Sequence, residues 1–207
     1  MSLRAFGDRA FLLELEQRID PGIAARARAI ADAWEARGLG AAVPAYASVV
    51  LHFDPPTERA AALAAAEGLA AHPPESRPAT AGRLIEIPIS YDGPDLAIAA
   101  SRSGLTPPDL VDAHAGREYE AFFLGFMPGL AYLGTLDPKI DVPRLDTPRP
   151  RVPAGSVGIA NGQTLVYPFE SPGGWHLIGR TALVMFDPRR DPAALIGAGD
   201  RVRFVPR

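Results

Sequence analysis

Between residues 122 and 180 the chain cannot form a long helix. The strings FFLGFMPGLAYLGTLD, PRLDTPRPRVPAGSVGIANGQT and YPFESPGGWHLIGRT lie there, and glycine or proline interrupts every apolar run. Proline fixes φ and removes a backbone donor; glycine serves where backbone turns with positive φ or approaches another group closely. Such a segment folds as short strands joined by stiff turns. So much fixed-shape backbone beside Arg, Ser, Tyr and Trp suggests a surface that holds or contacts something. The apolar runs 122–124, 157–159, 164–167, 176–178, 183–186 and 202–205 predict a compact β-barrel or sandwich.

The first part of the chain reads differently. Residues 3–6, the turn at Gly7-Asp8 and residues 10–15 predict strand, turn, strand. Asp20-Pro21 opens a helix, a capping carboxylate with proline in the first turn. Ile23, Ala27, Ile30 and Trp34 then form one apolar stripe, and Gly38 ends it. Residues 43–53 read as a strand centred on 48–51, and 57–71 as a second, Ala-rich helix behind Asp54-Pro55-Pro56. Two helices on one face of a small antiparallel sheet, a ferredoxin-like α+β domain, is the economical arrangement. The polar, Pro-rich stretch 72–82 predicts a linker between an α+β domain over 1–80 and a mainly β domain over 81–207. In the latter, 84–89 predicts a strand ending at Tyr91-Asp92-Gly93. Helices follow over 94–102 and 106–115, the second capped by Thr106 with Asp109 in its first turn.

Several chemistries are excluded. A formal net charge of -3 leaves no footprint for nucleic acid or an anionic membrane. Absence of cysteine removes disulfides, a thiol nucleophile and Cys-based metal sites. The N-terminus lacks a signal-peptide pattern and no window approaches about 18 apolar residues, so a cytoplasmic location with no membrane span is expected. The sole lysine, Lys139 in DPKID, gives no Walker A site and no activator for a serine nucleophile. AGSVG at 154–158 is not a nucleophile elbow. The four histidines are isolated, so no metal site is predicted, and no dinucleotide fingerprint follows a strand.

What remains is a groove. Arg144, Arg149, Arg151 and Arg180 are candidates for a carboxylate or phosphate clamp, because guanidinium is a rigid bidentate fork. Arg151 and Arg180 are preferred, since they abut Gly/Pro-rich turns. His176, after Gly173-Gly174-Trp175, is the candidate general base. Phe126, Tyr132 and Trp175 line the groove or fill the core. The turn residues Pro128, Gly129, Pro153, Gly155, Ser156, Pro172, Gly173 and Gly174 shape it. His114 reads as structural or surface, Ser156 and Ser171 as backbone-binding turn serines, and Asp200 as a turn residue before the last strand.

At GFMPGLAYL (125–133), PRLDTPRPRVPAGSVGIA (143–160), QTLVYPFESPGGWHLIGRT (163–181) and GAGDRVRFVP (197–206) the chain resembles a known family. That family includes the 5-oxoprolinase B subunit, the KipI-type kinase inhibitor and the first subunit of allophanate hydrolase. Leu130-Ala131 and Leu165-Val166 depart from its usual residues but stay apolar, and bear on local groove shape. The resemblance implies a ferredoxin-like N-terminal domain and a cyclophilin-like C-terminal barrel. It further implies an obligate component of a larger enzyme, inactive alone. Its partners would be a 5-oxoprolinase C subunit or allophanate hydrolase subunit 2-type protein, and a LamB/YcsF-type A subunit. Together they open 5-oxoproline to glutamate, driven by ATP. Under that reading Arg151 and Arg180 supply charge and His176 assists proton movement. Within the same family the alternatives are inhibition of a histidine kinase and a carboxyltransferase or allophanate hydrolase-like role on a urea-derived amide.

Overall fold

A computed structural model describes residues 1–55, 57–76 and 82–207. Pro56 of the expected helix approach and residues 77–81 of the expected linker lie outside the described residues. The chain divides into two compact units, Met1–Ala81 and Gly82–Arg207. Among the described residues no helix is long and apolar enough to cross a membrane.

The first unit runs β1 (Ser2–Ala5), β2 (Ala10–Glu14), α1 (Pro21–Glu35), β3 (Ala42–Pro44), β4 (Ser48–His52) and α2 (Arg59–Ala71). Its sheet has the order β1-β2-β4-β3, antiparallel throughout. This is the ferredoxin-like strand order, with the strand that normally closes the motif placed first in sequence as β1. Local chemistry sets α1: the Asp20 carboxylate accepts from the amides of Gly22 and Ile23 at 2.8 and 3.1 Å. The Ile23-Ala27-Ile30-Trp34 stripe packs on Phe11, Leu13, Val49 and Leu51 of the sheet. Trp34 Nε1, carried into that core, donates to the His52 carbonyl at 2.7 Å. The second helix starts at Arg59, two residues later than expected, and Glu58 gives it no side-chain cap.

The second unit begins with β5 (Leu84–Ile89), α3 (Leu96–Arg102), α4 (Pro107–Ala115), β6 (Glu118–Leu124) and β7 (Ala131–Gly134). A 3-10 turn (Pro138–Ile140) leads to β8 (Arg149–Val152), β9 (Ser156–Ala160), β10 (Gln163–Val166), β11 (Ser171–Gly173), β12 (His176–Arg180) and β13 (Arg201–Pro206). The main sheet has the order β12-β9-β10-β7-β6-β13-β5, with β5 and β13 parallel. Ser90, just beyond β5, and Arg180 of β12 exchange two backbone hydrogen bonds of 2.9 Å. That bridge joins the ends of the two outer strands and nearly closes the sheet into a cyclophilin-like barrel.

Ile87, Tyr119, Leu133, Val157, Ile178 and Phe204 fill the barrel, joined by Ala99, Ala100 and Leu110 from α3 and α4. A separate cluster of Leu130, Val152, Ala160, Leu165, Tyr167, Trp175 and Leu177 forms beside the β8–β11 ribbon. Residues 183–186, expected as a strand, are not one: only Phe186 makes a bridge, to Ala194. Arg190 staples the loop that follows, donating to the carbonyls of Val184, Met185, Pro192 and Ala193; the Met185 and Ala193 carbonyls also accept the Leu195 and Asp187 amides at 2.8 and 3.0 Å.

Candidate functional site

The site starts from the turn between β6 and β7. Gly125 N donates to Leu130 O at 3.1 Å and Leu130 N to Met127 O at 3.2 Å, which closes a tight loop. Gly129 holds φ +77° there, and a Cβ on it would lie 2.7 Å from the Phe186 Cβ. The turn therefore needs glycine on two counts, conformation and close approach. Phe126, at its apex, is 70% exposed with φ +71°, a strained value for an aromatic residue.

Opposite lies the segment leaving β11. Absence of a side chain at Gly173 makes room for the Tyr167 hydroxyl, which a Cβ would strike. Trp175 is buried; its ring sits 6.2 Å from Tyr132, which in turn stacks on Phe123 at 4.5 Å. The Arg144 guanidinium carbon stands 5.6 Å from the Trp175 ring centroid, a cation–π distance. These groups, with Leu130, Pro148, Leu165 and Pro172, enclose a cavity of about 280 Å³.

Burial pushes the Tyr132 phenol up and the Tyr167 phenol up to about 12, while the Arg144 charge pulls both the other way. Both are therefore neutral at physiological pH and able to donate. Among the described residues the cavity thus joins aromatic and aliphatic walls to a single lining cation, a combination suited to a small, flat, anionic molecule.

An ion pair between buried Asp95 and half-buried Arg149 fixes the Trp175 segment. Asp95, almost wholly buried, accepts from Arg149 at 2.5 Å and from the Leu177 amide at 2.7 Å, and Arg149 also reaches the Trp175 carbonyl at 3.4 Å. Loss of Arg149 would strand the buried Asp95 charge, so the pair is a rigid brace for β12.

The trio expected to handle charge and protons does not meet at this cavity. His176 follows Trp175, and strand alternation turns its ring to the other side. There it is fully buried, with Nε2 3.1 Å from the Pro143 carbonyl, and burial lowers its pKa. Arg151 alternates outward from Val152 of β8, is 80% exposed, and pairs loosely with Glu170 at 3.6 Å. Arg180 ends β12 at the closing bridge, is 72% exposed, and pairs with Asp92 at 2.7 Å.

The groove residues divide. Phe126, Tyr132, Pro172, Gly173, Gly174 and Trp175 line the cavity. Pro128 and Gly129 build the turn that carries Phe126. Pro153, Gly155 and Ser156 lie elsewhere: Gly155 exchanges backbone bonds with Tyr167 and Thr181, and Ser156 opens buried strand β9. Arg144, ranked below Arg151 and Arg180 from the sequence, is the arginine that lines the cavity. Leu130, Pro148, Leu165 and Tyr167 were not foreseen as lining residues. A signal for two existed, because Leu130 and Leu165 fall where the chain departs from the family pattern.

Comparison with known proteins fits this architecture. The family described as carboxyltransferase domain, subdomain C and D, matches residues 1–196. The 5-oxoprolinase B subunit of Escherichia coli O157:H7 is 52% identical over 128 residues, 60% of this chain and 59% of that protein. The 5-oxoprolinase B subunit of Bacillus subtilis (strain 168) is 48% identical over 126 residues, 59% of this chain and 52% of that protein. The matched stretch therefore spans little more than half of each relative's length. The crystal structure of TTHA0988 superposes with a TM-score of 0.85 at 37% identity, covering 96% of this chain and 40% of that one.

Proposed function

Because the chain belongs to the family of carboxyltransferase domains, subdomains C and D, we propose that it is a 5-oxoprolinase B subunit, acting within a complex that opens 5-oxoproline to glutamate. The observation that carries this reading is its identity of about one half with relatives that bear that name. The site agrees in kind. 5-Oxoproline is a compact lactam ring with one carboxylate, and the cavity offers aromatic and aliphatic walls with one guanidinium.

A lactam is a resonance-stabilised amide, so its opening needs both an energy source and a ring held in a fixed attitude. Holding the ring is what this chain's residues can supply: orientation by Trp175 and Arg144, and exclusion of water by Leu130 and Leu165. Turnover by the complex is coupled to ATP under this reading, but the cavity does not fit a triphosphate. Among the described residues one arginine lines it, too little charge to balance three phosphates. In this reading nucleotide binds a partner subunit or a cleft shared with one. The partners are a 5-oxoprolinase C subunit or allophanate hydrolase subunit 2-type protein and a LamB/YcsF-type A subunit, and the chain alone has no turnover.

The test is 5-oxoproline-dependent phosphate release by the tagged chain purified with its co-eluting partners. Turnover that requires those partners is expected. A complex that assembles with them and releases no more phosphate with 5-oxoproline than without it overturns the reading.

A further inference from the structure

We propose that the cavity is a carboxylate-reading subsite, in which Arg144 binds the carboxylate of a small ring acid lying against Trp175 and His176 holds Arg144 in position. The choice of 5-oxoproline as that acid rests on the function proposed above; the assignment of Arg144 and His176 rests on geometry.

The backbone of Arg144, itself an exposed residue, is tethered on both sides. The carbonyl of Pro143 accepts from His176 Nε2 at 3.1 Å, and the amide of Leu145 donates to the Gly174 carbonyl at 2.7 Å. The residues flanking Arg144 are thus bonded to the residues flanking Trp175, and the guanidinium lies 5.6 Å from the indole ring centroid between those ties. Arg149, Arg151 and Arg180 each pair with a carboxylate, whereas among the described residues Arg144 has no such partner. A guanidinium held over an aromatic face without a counter-charge is prepared for a planar anion, which it can grip with two parallel hydrogen bonds.

His176 takes a role other than the expected one. Its partner at Nε2 is a carbonyl, which can only accept, so Nε2 carries the proton. Its Nδ1 is buried without a hydrogen-bond partner, which leaves the Pro143 tie as the ring's one polar bond. The imidazole is a positioning group that acts through the Pro143 carbonyl and does not touch the ligand.

The test titrates the full chain with 5-oxoproline and with 2-pyrrolidinone, the same lactam without the carboxylate, by saturation-transfer NMR. Expected is saturable binding of 5-oxoproline, at least about tenfold tighter than 2-pyrrolidinone. Arg144→Gln abolishes that preference and leaves 2-pyrrolidinone binding unchanged. His176→Leu weakens 5-oxoproline in the same way, and His176→Gln, whose amide N–H reaches along the Nε2 direction, restores it. In the assembled complex both effects fall on KM rather than kcat. Equal binding of the two lactams, no binding of 5-oxoproline, or an unchanged KM in Arg144→Gln each overturns the subsite. If the chain binds the acid through Arg144 while the complete complex turns over no 5-oxoproline, the subsite stands and the 5-oxoprolinase reading falls.

Discussion

His114 is fully buried and bonded at both ring nitrogens, with Nδ1 2.7 Å from the Tyr91 hydroxyl and Nε2 2.9 Å from Thr164 Oγ1. Thr164 donates its one hydroxyl proton to the Gly158 carbonyl at 3.1 Å, so it must accept from the imidazole. Nε2 therefore holds the proton and Nδ1 accepts from Tyr91. Burial, without an opposing charge, drives the ring's pKa down to about 3. An unfolded histidine titrates near 6.5, so between those values the unfolded chain binds a proton that the folded chain excludes. Stability must then fall as pH drops from about 6.5 toward 3, with a limiting slope on the order of 1 kcal/mol per pH unit. Burial displaces His176 downward too, and it adds to the same acid window. His114→Gln is expected to be less stable at neutral pH by about 1–3 kcal/mol, the cost of breaking a buried network. Its unfolding free energy should also depend less steeply on pH between 6.5 and 4.5. Denaturant melts at stepped pH measure both, and parallel slopes for the two proteins would refute the buried-neutral assignment.

Arg190 organises a loop that its sequence does not announce. Residues 183–186 read as a strand because Leu, Val, Met and Phe follow one another, yet their backbone pairing is confined to Met185 and Phe186, and the Val184 carbonyl faces a guanidinium. Arg190→Lys keeps the charge and loses the fork, so one ammonium must replace a four-carbonyl staple. We expect a loss of about 1–2 kcal/mol and faster amide exchange at Asp187 and Leu195, with barrel amides such as Val157 unchanged. Uniform exchange across the barrel would show that the staple is not local. Local chemistry was legible elsewhere: Asp20 and Thr106 cap their helices as read, Thr106 in a capping box with Asp109. Strands β8 and β11 were not, because β9 and β10 separate them in the chain; nor was β7, a four-residue strand that follows β6 through a tight turn and also pairs with the distant β10. The site followed the same division. Its Gly-Gly-Trp string was visible, whereas Arg144, Leu165 and Tyr167 join it only once three separate segments converge.

At the scale of the whole chain, each unit carries its own core. Phe11, Leu13, Ile30, Trp34 and Leu51 fill the first, and the barrel cluster and the cluster beside the cavity lie wholly within residues 82–207. Every residue that lines the cavity also belongs to the second unit, as do the Ser90–Arg180 bridge that nearly closes the barrel and the Asp95–Arg149 brace. A domain folds alone when its apolar surface is buried by its own residues and its backbone groups are satisfied internally, and a nearly closed sheet leaves little of the second condition to an outside strand. Residues 82–207 expressed alone are therefore expected to unfold cooperatively on heating. Their Trp175 emission should be blue-shifted, as a buried indole requires, and Trp34 of the first unit is absent from that fragment. Gly93 tests the closure inside it, since a Cβ there would strike the Leu177 carbonyl and the Ile178 backbone of β12. Gly93→Val should lower the melting temperature of the fragment and of the full chain's barrel transition by the same amount. A fragment that melts without cooperativity and binds a hydrophobic dye would show that the barrel draws its stability from residues outside 82–207.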